Sequence, residues 1–170
     1  MAKVRFHDNN EYITGREAVE AYLNTQEVIY EFWGTERLND RLRDAYDLSD
    51  EEKQQILDAF KPEIDDISAR RGYSTADIVM LSDKTPNLDA LLNKFVDEHH
   101  HTDDEVRFCV DGHGIFAIQG KDGRYFDVEL EAGDLISVPS YYRHYFTLME
   151  DRKIKAIRLF ITPAGWEAIY

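Results

Sequence analysis

Glu98-His99-His100-His101-Thr102-Asp103-Asp104-Glu105-Val106-Arg107-Phe108 decides how the rest of the chain is read. Within it lies His99-x-His101-x-x-x-Glu105, a metal-ligand spacing. In an extended chain alternate side chains share a face, so His99 and His101 point one way and His100 the other. Glu105 follows an acidic bend and closes on the same centre. Two imidazoles and one carboxylate leave coordination positions open. That is the donor chemistry of iron or nickel more than of a closed structural zinc site. A fourth ligand must come from elsewhere, and His144 is the candidate downstream. The competing interpretation is a polar, histidine-rich surface loop, and the sequence around the stretch argues against it.

The 170 residues are enough for one domain with a core, and 43% hydrophobic content is that of a folded chain. No apolar run is long enough to span a bilayer, and the N-terminus lacks the apolar stretch of a signal peptide. A net charge of −14 argues against binding nucleic acid or anionic membranes. Cys109 is the single cysteine, which excludes an intrachain disulfide and fits a cytoplasmic location. It reads as a buried strand residue and not as a nucleophile.

Upstream of the stretch, residues 1–97 mix short strands with helices. Val4-Arg5-Phe6 reads as an edge strand, and the β-branched and aromatic Val28 to Trp33 as a strand. Gly15 to Leu23 suggests a short helix. Ser49-Asp50-Glu51-Glu52 is a capping-box pattern, followed by Ile56, Phe60, Ile64 and Ile67 at helical spacing. Pro62 should kink or split that helix, and Gly72 should stop it. Asp77 to Leu81 reads as a strand, and Asn87 to Phe95 carries a helical stripe. His7 reads as a satisfied surface histidine.

Downstream, residues 98–162 are strand-rich. Val106 to Val110 runs into an expected turn at Asp111-Gly112-His113-Gly114, and Ile115 to Gln119 follows. Asp122-Gly123 predicts a hairpin. Tyr125 to Leu130, Leu135 to Val138, Arg143 to Met149 and Ile154 to Ile161 complete the set. Short strands at this spacing predict a closed barrel or sandwich, with the helical part packed outside.

The His99 cluster and Gly133-x5-Pro139-x4-His144 together resemble the two metal-binding motifs of the cupin superfamily. The acidic stretch itself is similar to the acireductone dioxygenase family. So are Gly112 to Phe116, Asp134 to Pro139, Arg143 to Phe146, Gly165-Trp166, Gln26 to Glu31 and Arg70 to Tyr73. The resemblance implies a mainly β, α+β fold: a single cupin-type double-stranded β-barrel (jelly roll) domain over 1–170. It implies a monomeric enzyme that binds one Fe2+ or Ni2+ through His99, His101, Glu105 and His144. Its substrates would be 1,2-dihydroxy-5-(methylthio)pent-1-en-3-one and dioxygen, in methionine salvage. It further assigns metal incorporation to Glu98, conformational transmission to Asp104 and substrate dianion formation to Arg107; the alternative for Glu98 or Asp104 is an acceptor that orients a ligand imidazole.

Strand parity supports the role of Arg107. Arg107 lies two residues from Glu105 and shares its face. Chelation of a dianion would take the metal's formal charge from about +1 to about −1, and burying that excess needs a cation. Arg158 is a second candidate cation, with an ordinary surface ion pair as the alternative. Phe146 shares a face with His144 and joins Trp166 as a candidate pocket wall. Many cupins carry glycine where Tyr141 stands, which puts the tight turn there in question. A cupin module without catalysis, or a cupin dioxygenase for another substrate, is the alternative reading.

Overall fold

The computed structural model describes residues 1–95, 97–98 and 104–160. In chain order the elements are β1 (Lys3–Phe6), β2 (Tyr12–Ile13), α1 (Arg16–Thr25), β3 (Ile29–Phe32), α2 (Asp40–Asp44), α3 (Asp50–Ala59) and α4 (Lys61–Arg71). They continue as β4 (Thr75–Leu81), α5 (Leu88–Phe95), β5 (Glu105–Gln119), β6 (Tyr125–Glu131), β7 (Asp134–Val138), β8 (His144–Leu148) and β9 (Ile154–Phe160).

β5 organises the barrel because it belongs to two antiparallel sheets. Its first half pairs with β7 on one side and β9 on the other, and those strands extend to β3 and β4. Its second half pairs with β6 and β8, and β6 extends to β1 and β2. The expected turn at 111–114 is therefore a correction: the strand continues through it. Cys109 lies opposite Ala156 and Asp111 opposite Lys155, so one extra residue is bulged out there. A bulge bends and twists a strand without ending it. Gly112 sits at the bend with φ +82, and a Cβ there would lie 2.2 Å from the Lys153 carbonyl oxygen. Only glycine fits that approach.

The bulge also switches which residues face inward. Val106, Phe108 and Val110 pack under the helices, in a core with Ile56, Phe60, Ile67, Leu135 and Ile157. Beyond the bulge, Phe116 and Ile118 face the barrel interior with Phe126, Val128, Leu130, Ile136 and Val138. Before it, the inward residues are Glu105, Arg107 and Cys109, by alternation.

The helices that the sequence predicts form, and α2 is one that it did not. Ser49 Oγ accepts from the Glu52 amide and Glu52 Oε1 from the Ser49 amide, closing the capping box. Pro62 falls in the first turn of α4, where its missing amide costs nothing, so the stretch divides into α3 and α4. Gly72 ends α4 in the left-handed conformation, at φ 80. The first half of the chain is more than an outer coat. β1, β3 and β4 are integral strands, and β1 lies between β2 and β6 instead of at the sheet edge. Short strands with little alternation hide such partners from sequence reading.

Candidate metal centre

His144 enters the barrel because β8 is in register with β5: Ile118 lies opposite His144, and both point inward. The ring is buried, with 2% of its side chain exposed against 10% for Glu105. His144 Nδ1 lies 2.9 Å from the Tyr142 carbonyl oxygen, which can only accept. Nδ1 therefore carries the proton, and Nε2 is aimed at Glu105 Oε2, with which it is in contact. Burial pushes the imidazole pKa down, but Glu105 and the Tyr142 carbonyl outweigh it and hold the value above the ordinary one. A carboxylate oxygen and an imidazole Nε2 brought together in a buried interior, with the other ring nitrogen held by a carbonyl, are a donor set that fits a divalent cation.

Arg107 lies where strand parity predicts. Its Nη2 is 2.9 Å from Glu105 Oε1, and its Nη1 donates to the Val106 carbonyl at 2.9 Å. Burial lowers its pKa against the opposing pull of Glu105, and Arg158 adds to the lowering. Arg158 stands directly across from Arg107 on β9. It donates to both carboxylate oxygens of Asp77, at 2.8 and 2.6 Å. Arg158 is thus ion-paired, as one of the two sequence alternatives has it, and it lies on the same face as Arg107. Phe146 packs on the Phe116 ring, with centroids 4.9 Å apart, one alternation along β8 from His144. His99, His100, His101 and Trp166 lie outside the described residues.

The two acidic residues that flank the histidines are each held by several donors. Glu98 accepts from Arg143 Nε at 2.9 Å and from the Tyr125 hydroxyl. That hydroxyl first, and Arg143 after it, hold the Glu98 carboxyl below its usual range against the effect of burial. Asp104 accepts from Arg71 Nη2 at 2.7 Å, from the Tyr73 hydroxyl at 2.9 Å and from the Ser140 amide at 3.0 Å. Tyr73 also meets Ser137 Oγ at 3.1 Å, and burial pushes its pKa to about 12. Sequence reasoning did not assign roles to Tyr73, Arg71, Tyr125 or Arg143. The available signal was the density of carboxylates in the stretch, which requires donors from somewhere.

Tyr141 answers the question its position raised. It adopts φ +67, so the turn keeps the left-handed conformation that glycine takes elsewhere. His113 is in β5 and not in a turn, with Nδ1 2.6 Å from Asp151. His7 is satisfied by Asp127 at 2.7 Å. Cys109 is buried, and burial raises its thiol pKa, so it is no nucleophile.

Residues 3–168 match the model of the ARD/ARD' family. The acireductone dioxygenase of Bacillus subtilis (strain 168) is 60% identical over 171 residues, covering 100% of the chain and 96% of that protein. The Bacillus cytotoxicus enzyme of the same name is 58% identical, and the two cover each other completely at 100%. A solved acireductone dioxygenase from Bacillus anthracis, with a cadmium ion in its active centre, superimposes with a TM-score of 0.97 at 56% identity. That match covers 100% of this chain and 98% of the other.

Proposed function

The chain belongs to the ARD/ARD' family, a family of dioxygenases, and from that premise we propose that it cleaves 1,2-dihydroxy-5-(methylthio)pent-1-en-3-one with dioxygen in the cytoplasm, as a monomer. His99, His101, Glu105 and His144 would hold one Fe2+ or Ni2+. The observation that carries the reading is the inward Glu105–His144 pair with Arg107 beside it. When bound, the ion supplies chelation of the enediolate and the redox chemistry that lets it react with oxygen. With iron the products are formate and 4-methylthio-2-oxobutanoate, the methionine precursor. With nickel they are carbon monoxide, formate and 3-(methylthio)propanoate.

The residues of the chain prepare that chemistry. Arg107 stays protonated despite its burial, because a guanidinium holds its proton far above working pH. It offers a fixed charge to the substrate's second anionic oxygen and favours its ionisation. Arg158, across from it on the same side, has its charge balanced by Asp77, so Arg107 is the principal cation offered to the substrate. Phe146, with Trp166, walls the apolar part of the pocket and excludes water. The Tyr142 carbonyl fixes the His144 ring. Glu98 serves metal incorporation, and Asp104 couples the centre to α4 and the β7–β8 loop.

Anaerobic addition of the acireductone to iron-loaded and nickel-loaded protein, followed by an oxygen pulse, tests the reading. Carbon monoxide should come from the nickel form alone. Identical products from both forms would refute metal-controlled cleavage, and no oxygen consumption by either would refute the substrate assignment.

A further inference from the structure

From the contacts around Glu98 we infer that Arg143 and Tyr125 are positioning residues for the metal centre, a step that rests on reading His99, His101, Glu105 and His144 as its ligands. Arg143 reaches Glu98 twice: Nε donates to Oε2 at 2.9 Å, and Nη2 donates to the backbone carbonyl at 3.1 Å. The Tyr125 hydroxyl takes the other carboxylate oxygen. The carboxylate and the backbone carbonyl of Glu98 are thus both held.

The platform behind these donors is made of paired strands. Tyr125 lies opposite Gln119 at the end of the β5–β6 hairpin. The Gln119 amide donates to the Arg143 carbonyl at 2.9 Å. Tyr125, Gln119 and Arg143 therefore stand side by side across β6, β5 and the residue before β8, with a hydrogen bond between the last two. Phe126 and His144, each the next residue, point into the barrel, so by alternation Tyr125 and Arg143 project from the opposite face. Arg143 in this way references Glu98 to the backbone that carries His144. At the other end of the histidine stretch, Asp104 is held by Arg71, Tyr73 and the Ser140 amide. Both flanks of the segment bearing two of the four ligands are anchored, by separate parts of the fold.

A part-exposed ion pair contributes little to fold stability, and Arg143 and Glu98 are 37% and 30% exposed. Groups that orient metal ligands are worth far more to the metal, about 10–100-fold in affinity. The two roles separate in one experiment on the full chain, loaded with Ni2+ and chased with a chromogenic chelator. Arg143→Gln should release Ni2+ about 10-fold or more faster than wild type, with the melting temperature of the metal-free protein unchanged. Arg143→Lys should recover part of the loss, because it restores the charge but not the two-pronged contact. Tyr125→Phe should lose less than Arg143→Gln. Glu98→Gln combined with Arg143→Gln should be no worse than the weaker single variant, since both break one contact set. Wild-type release from Arg143→Gln, additive losses in the double variant, or faster release matched by a falling metal-free melting temperature would each overturn the positioning role. His144→Ala, run alongside, should bind no stoichiometric Ni2+. If it keeps full stoichiometry, the ligand assignment is what fails; if it loses the metal while Arg143→Gln behaves as wild type, only the positioning role fails.

Discussion

Arg107 and Glu105 share one face of β5, and the 2.9 Å contact between them ties the candidate cation to the candidate ligand. Removing a charge-assisted contact to developing negative charge commonly costs about 2.7–4 kcal/mol, or about 10²–10³ in rate. Arg107→Ala should therefore keep its metal, turn over slower by that factor, and show less dianion ultraviolet absorption when mixed anaerobically with substrate. A full dianion signal with no oxygen reaction would move Arg107 to the oxygen step. Alternation makes a second claim at this scale. His101→Ala should lose metal and His100→Ala should keep it, as measured by metal analysis of the purified variants. Equal losses would show that the stretch is not extended.

The bulge in β5 does at the element scale what no single side chain does. Val106, Phe108, Val110, Phe116 and Ile118 occupy even positions, so simple alternation reads them as one face. The extra residue near Asp111 sends the first three under the helices and the last two into the barrel. Gly112 makes this possible. Gly112→Ala must accept a left-handed φ, which costs about 1–2 kcal/mol, and a clash with the Lys153 carbonyl on top of it. Urea denaturation should show a loss beyond that range, and near wild-type stability would mean that the bulge can relax elsewhere. Ser49→Ala, which breaks a capping box at the surface, should cost only about 1 kcal/mol.

At the scale of the whole molecule, Lys155 joins the helical layer to the barrel. It is fully buried, and its Nζ donates to the Leu42 and Arg43 carbonyls at the end of α2, each at 2.8 Å. Burial lowers its pKa from 10.5 to about 8. Between those two values the unfolded chain holds the proton and the folded chain releases it, so this residue's contribution to stability rises with pH. The cost of burying the charge is fully present below about pH 8 and is relieved by about pH 10.5. Denaturation of wild type and Lys155→Met across that window should show the wild type gaining relative to the variant. A constant difference would mean that Lys155 keeps its ordinary pKa in the fold.

The sequence by itself determined the chemistry that short-range periodicity can carry. Alternation placed Arg107 beside Glu105, the Ser49 pattern predicted the capped start of α3, and Pro62 with Gly72 predicted the limits of α4. The motif spacing named His144 as the residue to join Glu105, and the barrel brings them into contact. Tertiary structure alone decided the rest. β1, β3 and β4 became barrel strands because their partners lie far along the chain, where no local pattern records a pairing. Arg71, Tyr73, Tyr125 and Arg143 became anchors of the histidine segment for the same reason. Their donors meet Glu98 and Asp104 only through the placement of β6, the residue before β8 and the end of α4 in the fold, and hydrogen bonds between residues so distant in sequence leave no periodic trace in it.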